Sequence, residues 1–450
     1  MGAAKCLVSG RSNVGKAPPG HERTAMNVRL AYGRAGLDVE LPDDALLIEP
    51  SDPPPCVDEG ADFRAAVRAP FGAAPLRELI GSHERVVIVT SDVTRATPNH
   101  LLIPWILDEI GHVPADQISV IIGTGSHRET TPEEMLAMFG AETLARVRVI
   151  DHDSHDDAQQ TYLGTTSRGA RAYLNAEYVA ADKRICVGFI EPHLYAGFSG
   201  GPKGIMPGVA GIETVKFFHN AQMVGDPRST WLNLDANPIQ EMAREVAALA
   251  PPDFLVNVTL DRDKRITAFF CGDYREAHLH GAAFCKRHAA APVPQRYDVV
   301  VTTNGGYPLD QNLYQCIKGL SAAAAIVKPG GTIVMCAELS DGLPEHGNFK
   351  DILRARTTPR ALLEMIEAPE YSVYDQWGAQ SQALVLVQAR VAFHSSLPAE
   401  TIRGAMLEPI DDVAEAVREE LQAAGPGARC AVMPLGPYVV PYVAEAAALA

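Results

Sequence analysis

The sequence predicts an α/β protein of two domains, each built on a mostly parallel sheet, with the active site in the interdomain cleft. Three observations predict it. The chain has 450 residues, too many for one ordinary core when a domain takes about 100–200. Apolar, β-branched runs alternate with helical patterns, the sign of a sheet covered on both faces. Polar, glycine-rich sequence directly follows several of those runs, at the carboxyl ends of strands where open α/β sheets bind ligands.

The first series of strands is RVVIVTSD (85–92), ISVIIGTG (118–125), VRVID (147–151) and RICVGFIE (184–191), after an opening strand in NVRLAYG. Between them, NHLLIPWILDEIG (99–111) and TPEEMLAMFG (131–140) carry apolar residues at helical spacing, and Thr131 with Glu134 forms a capping-box pattern. A second series, DVVVTTNGG (298–306), GTIVMCAE (331–338), QALVLVQARV (382–391) and RCAVMPLG (429–436), begins after APVPQRY (291–297). These give a disordered extension over 1–25, an N-terminal domain over 26–290 and a C-terminal domain over 291–450. DDVAEAVREELQAAG (411–425) fits a covering helix, and the final YVVPYVAEAAALA can pack back on either domain. In the extension, GRSNVGK lacks the spacing of a phosphate-binding loop.

Lys+Arg 39 against Asp+Glu 55 leaves a formal charge of −16, which repels phosphate backbones and argues against nucleic acid. No apolar run approaches the roughly 18–20 residues of a membrane span. Eight cysteines are scattered with no C-x-x-C pair, as expected of a reduced, cytoplasmic protein whose cysteines are small buried hydrophobes.

Three early strands end in unusual polar sequence. The first gives SDVTRATP, where Ser91, Asp92, Val93, Thr94 and Arg95 offer hydroxyls, an acceptor and a cation suited to a ribose and an anion. The same cluster could instead cap the helix starting near Asn99. The second gives GTGSHRETT, in which His127 follows a strand end that allows a ligand close approach, although a lone histidine is more often a structural hydrogen-bonding group. The fourth gives EPHLYAGFSGGPKGIMPGVAG, where His193 opens a glycine-rich segment around Lys203. Such glycines can turn N–H groups toward an anion, and the lysine can act as a cation or a covalent anchor. His219, in ETVKFFHNAQM, is a lone histidine, and no H-x-x-x-H pair exists among the three, so any metal takes most of its ligands from elsewhere. In YPLDQNLYQCIKG, Tyr314, Gln315 and Lys318 share one helical turn and can bind a carboxylate. Trp377 in YDQWGAQ can wall a small pocket or fill a core.

Taken together, SDVTR, GTGSHR, EPHLYAGFSGGPKGIMPG with the later His219, YQCIK and DQW resemble the lactate racemase family over nearly the whole chain from Met26. The EPH…GFSGGPKG…PG block is the specific part. The resemblance implies an isomerase that racemises or epimerises a small 2-hydroxy acid through a 2-keto acid. It implies a nickel-pincer nucleotide, Ni(II)-pyridinium-3,5-bisthiocarboxylate mononucleotide, made from a nicotinate precursor by partner biosynthesis enzymes. Carried onto this chain, Asp92, Val93, Thr94 and Arg95 hold the nucleotide, Lys203 forms its covalent link, and His219 is the one protein ligand of nickel. His127 and His193 become the acid/base pair. Gln315, Lys318 and Arg95 hold the substrate carboxylate, while Tyr314 and Trp377 line the pocket. Two other readings compete. A nicotinamide-dependent dehydrogenase should carry G-x-G-x-x-G, whose third glycine GTGSHR lacks. A nickel-nucleotide carrier would need Lys203 and His219 but not both His127 and His193.

Overall fold

The computed structural model describes residues 24–344 and 347–444. The proposed extension falls almost entirely outside them, as do the last six residues of the final segment.

The first sheet has six strands in the order Ile266–Gly272, Phe254–Leu260, Lys183–Phe189, Val86–Ser91, Ile118–Gly123, Arg148–Asp151. All neighbours are parallel except the edge strand Ile266–Gly272. Its runs are apolar on both faces because both are covered. Val86 and Ile88 pack with Leu102, Ile103 and Ile106 of the helix Asn99–Glu109, whereas Val87 and Val89 face the opposite cluster with Met206 and Val246. Each such side chain, fully buried, contributes about 1.5–3 kcal/mol. The helix Pro132–Arg146 starts with the expected capping box of Thr131 and Glu134, a feature that contributes roughly 1 kcal/mol.

The second sheet is entirely parallel: Glu408–Pro409, Arg390–His394, Val327–Cys336, Tyr297–Thr303, Cys430–Met433, Leu46–Leu47. The helix Val413–Ala424 covers it as expected, burying Val417 and Leu421. The two sheets give the two-domain α/β architecture that the alternation of strands and helices predicts.

Three expectations need correction. The hairpin Ala25–Leu30 with Leu37–Pro42 does not join the first domain: Val28, Leu30, Val39 and Leu41 pack against Val299, Val301 and Val334, and Leu46–Leu47 is an edge strand of the second sheet. Local alternation forms a hairpin but does not say which sheet receives it. The run at 382–391 is not a strand; most of it belongs to the helix Gln376–Gln388, and the strand is Arg390–His394. That helix is buried from Gln376 through Ala383, so it lacks the polar face that would have marked its period. Finally, the boundary segment is itself a strand, Ala290–Val293, paired in parallel with Val440–Val443 near the end of the described chain.

Candidate active site in the interdomain cleft

In the first sheet the chain runs from Val86–Ser91 outward through Ile118–Gly123 to Arg148–Asp151, then returns to place Lys183–Phe189 on the other side of Val86–Ser91. The order reverses between those two central strands. Ligands of open α/β sheets bind at that crevice, and here the loops leaving both strands meet: Arg95 Nη1 lies 3.3 Å from Glu191 Oε1 across it.

Asp92 is buried. Its Oδ1 accepts from the Thr94 hydroxyl at 2.6 Å and its Oδ2 lies 2.7 Å from His127 Nδ1. Burial works against its charge, but His127, the Thr94 hydroxyl and Arg95 outweigh it and hold the carboxyl below the usual range. The capping alternative fails, because Pro98 is the N-cap of Asn99–Glu109 and no side chain caps that helix. Val93 and His127 are open to solvent.

His193 is buried, and its Nδ1 accepts from the backbone N–H groups of Tyr195 and Ala196 at 3.2 and 3.3 Å. Desolvation, then the charges of Lys203, Arg95, Lys318 and His219, push its pKa well below the ordinary value, so the ring is neutral. Lys203 sits on the turn Gly201–Gly204 with its amine over the Phe218 ring. Burial, then Arg95, lower its pKa to about 7, which leaves much of the amine uncharged and nucleophilic near neutrality. Two of the surrounding glycines are required by packing. A Cβ on Gly201 would lie 2.4 Å from the His278 ring and one on Gly208 2.1 Å from the Gly204 carbonyl, so these positions serve close packing. Asn257 Oδ1 takes the Gly201 N–H at 2.8 Å and His278 meets the Ser199 carbonyl at 3.0 Å, fixing the turn to the sheet.

His219 ends the helix Ile212–Phe218, and its Nδ1–H donates to the Val215 carbonyl at 3.1 Å. That bond leaves the Nε2 lone pair free. Desolvation, then Lys203, lower its pKa to about 3, so the ring is neutral. Among the described residues no group of three or more His, Cys, Asp or Glu could hold a metal ion. A metal at His219 must therefore bring its other donors with it.

The second domain closes the cleft with the helices Leu313–Ala324 and Gln376–Gln388. The Trp377 ring lies 4.7 Å from the His219 ring, tilted by 31°, and donates its indole N–H to the Tyr314 hydroxyl at 2.7 Å. Asn312 caps the first helix by accepting the Gln315 N–H, which fixes the turn that carries Tyr314, Gln315 and Lys318. Burial, then Arg95, lower the Lys318 pKa to about 8. Among the described residues neither Lys203 nor Lys318 has an ion pair or a side-chain hydrogen bond. Arg95, Lys203, Lys318 and His219 thus lie close enough to act on His193, Trp377 and Tyr314 join them through His219, and Asp92 with His127 adjoins Arg95.

The sequence reading did not assign Glu191, the partner of Arg95; Tyr195, whose hydroxyl meets Ser381 at 2.7 Å; or Tyr374, whose hydroxyl donates to the Ser126 carbonyl at 3.0 Å across the domains. Glu191 and Tyr195 lie inside the glycine-rich block and Tyr374 beside Trp377, but only the fold shows what they touch.

Residues 32–232 match the family model described as the lactate racemase N-terminal domain, and residues 293–440 the lactate racemase C-terminal domain. The chain is 35% identical over 370 residues to the lactate racemase of Lactiplantibacillus plantarum, covering 82% of this chain and 87% of that one. It is 32% identical over 399 residues to the lactate racemase of Thermoanaerobacterium thermosaccharolyticum, covering 87% and 93%. The solved lactate racemase apoprotein from the latter organism superimposes with a TM-score of 0.87 at 31% identity, over 92% of this chain and all of the other. A Thermotoga maritima protein at 16% identity, TM-score 0.63, over 82% of this chain and 96% of its own, shares the fold.

Proposed function

This chain belongs to the lactate racemase family, and from that premise we propose that it inverts C2 of lactate or a closely related small 2-hydroxy acid by reversible hydride transfer with a nickel-pincer nucleotide. The observation that carries the reading is the pairing of His219, a single neutral imidazole with a free Nε2, with Lys203, a buried amine of lowered pKa. Such a pair suits a cofactor that carries its own metal donors and is anchored through a lysine. It does not suit a metal ion caged by protein. Bound there, the nucleotide would supply the hydride acceptor, and His219 would hold its nickel.

The remaining chemistry belongs to the chain. Lys318 and Gln315, with Arg95, hold the substrate carboxylate. His127 and His193 stand on separate loops and serve opposite faces of the substrate. In that reaction one imidazole would take the hydroxyl proton as a planar 2-keto acid forms, and the other would return a proton to the oxygen once the keto acid had turned its other face to the cofactor. Tyr314 and Trp377 keep water from the reacting carbon. A carrier protein would have no use for two such histidines.

The test is to produce the chain with and without the cofactor-making enzymes, measure intact mass and nickel, and assay both enantiomers of lactate and a panel of chiral 2-hydroxy acids. A nucleotide-sized mass increase at Lys203, bound nickel and racemisation are expected only in the first preparation. Full activity in a nickel-free preparation contradicts the proposal.

A further inference from the structure

The two histidines are held in different ways. His127 reaches Asp92 at 2.7 Å, and its ring is otherwise open to solvent, 47% exposed. A carboxylate only accepts hydrogen bonds, so His127 Nδ1 carries the ring proton and Nε2 presents a lone pair to the cleft. Among the described residues His193 has no carboxylate partner. Its Nδ1 accepts two backbone N–H groups, and the charges around it are cationic. A proton taken by His127 is therefore balanced by an anion in contact with the ring, and one taken by His193 is not. Asp92 also has little left to offer a nucleotide, since Thr94 occupies Oδ1 through both its hydroxyl and its backbone N–H.

We infer that Asp92 is a positioning residue for His127, fixing its tautomer and balancing its charge, rather than a contact of the cofactor nucleotide. The inference rests on the acid/base role proposed above for His127. It makes the two half-reactions unequal. When the hydroxyl oxygen lies beside His127, its proton moves to Nε2 while the Nδ1–H stays on Asp92, and C2 loses its hydride to the nucleotide. When the oxygen lies beside His193, Asp92 takes no part. Because the racemisation equilibrium constant is one, kcat/KM for the two enantiomers must fall together in any variant. The inequality is read directly in single turnovers.

The experiment is Asp92→Asn in the nickel-loaded enzyme, alone and combined with His127→Ala. We expect nickel and nucleotide content to be kept. Single-turnover formation of the 2-keto acid should slow about 10²–10³-fold from one enantiomer and change by less than about threefold from the other. In the His127→Ala background Asp92→Asn should add no further loss, because the two act as one unit. Loss of the nucleotide, equal slowing of both enantiomers, or additive losses would overturn the inference. Ring ¹⁵N shifts of the cofactor-free chain read the same contact without turnover. The Nδ1–H form of His127 in the wild type, shifting toward Nε2–H in Asp92→Asn, supports the inference, and an unchanged ring refutes it. A wild type that racemises no 2-hydroxy acid would refute the proposed function and leave these shifts to decide the Asp92 contact.

Discussion

Both sheets reverse their strand order once, and the two crevices so formed have opposite fates. In the first sheet the crevice lies between Val86–Ser91 and Lys183–Phe189, and the loops beyond it present Asp92, Arg95, Glu191 and His193. In the second it lies between Tyr297–Thr303 and Cys430–Met433, and the protein's own main chain fills it. Ala31 N–H bonds to the Pro434 carbonyl at 2.9 Å, Tyr307 N–H to the Gly33 carbonyl at 2.9 Å, and Asp310 Oδ2 takes the Gly33 N–H at 2.6 Å. The topology that makes a site in one sheet makes a plug in the other. What separates them is whether the groups beyond the strands are side chains with capacity to spare or backbone already paired.

Substitutions in the open crevice should therefore change chemistry, and those in the plugged one stability. The largest effect belongs to His219→Ala, expected to lose nickel and all measurable activity. His127→Ala and His193→Ala should keep nickel and lose about 10²–10⁴-fold in kcat. Metal analysis beside turnover checks both, and nickel loss in either of the latter pair would break the division of roles. Lys318→Ala should raise KM for the 2-hydroxy acid about 10–100-fold, the consequence of losing a charge-assisted hydrogen bond of about 1.5–3 kcal/mol. A change in kcat alone would deny Lys318 the carboxylate.

In the plugged crevice Gly436 has φ 54°, and a Cβ there would lie 2.0 Å from the Thr303 carbonyl oxygen. Gly436→Ala should destabilise the protein by about 2 kcal/mol or more while the folded fraction keeps its nickel and kcat; denaturant titration with activity per folded molecule decides it. The smallest effect is that of Tyr374→Phe. It removes one cross-domain hydrogen bond beside His127, which contributes about 0.5–1.5 kcal/mol and so a few-fold in rate. A loss beyond a hundredfold would make Tyr374 part of the chemistry.

How much of this was legible in the sequence follows from how local each signal is. The strand runs around Ile88 and Ile121 and the capping box at Thr131 are encoded within a few residues, and they emerge as read. Asp92, His127, His193 and Lys203 were identifiable because each directly follows a strand or lies in one unusual block. Their partners were not. The Arg95–Glu191 bridge and the Asp92–His127 bond join residues 96 and 35 positions apart, and no pattern within one segment reports such a pair. The helix Gln376–Gln388 was misread for a related reason: wedged between the second sheet and the first domain, it shows neither helical nor strand period. The glycines around Lys203 were visible, but not the packing against His278 and the Gly204 carbonyl that requires Gly201 and Gly208.

The central claim is that the C2 hydrogen leaves and returns as hydride. Racemisation through a carbanion would instead release a proton to a base and refill C2 from solvent, and a carbanion beside a carboxylate needs strong electrostatic stabilisation. The most direct measurement uses substrate deuterated at C2, converted by the nickel-loaded enzyme in ordinary water, with the opposite enantiomer isolated and its C2 label read by mass spectrometry or NMR. Hydride transfer predicts that the deuterium is largely retained, and that unlabelled substrate in heavy water gains little. Washout of the label in every turnover would contradict the account, even in an enzyme that held nickel and interconverted the enantiomers.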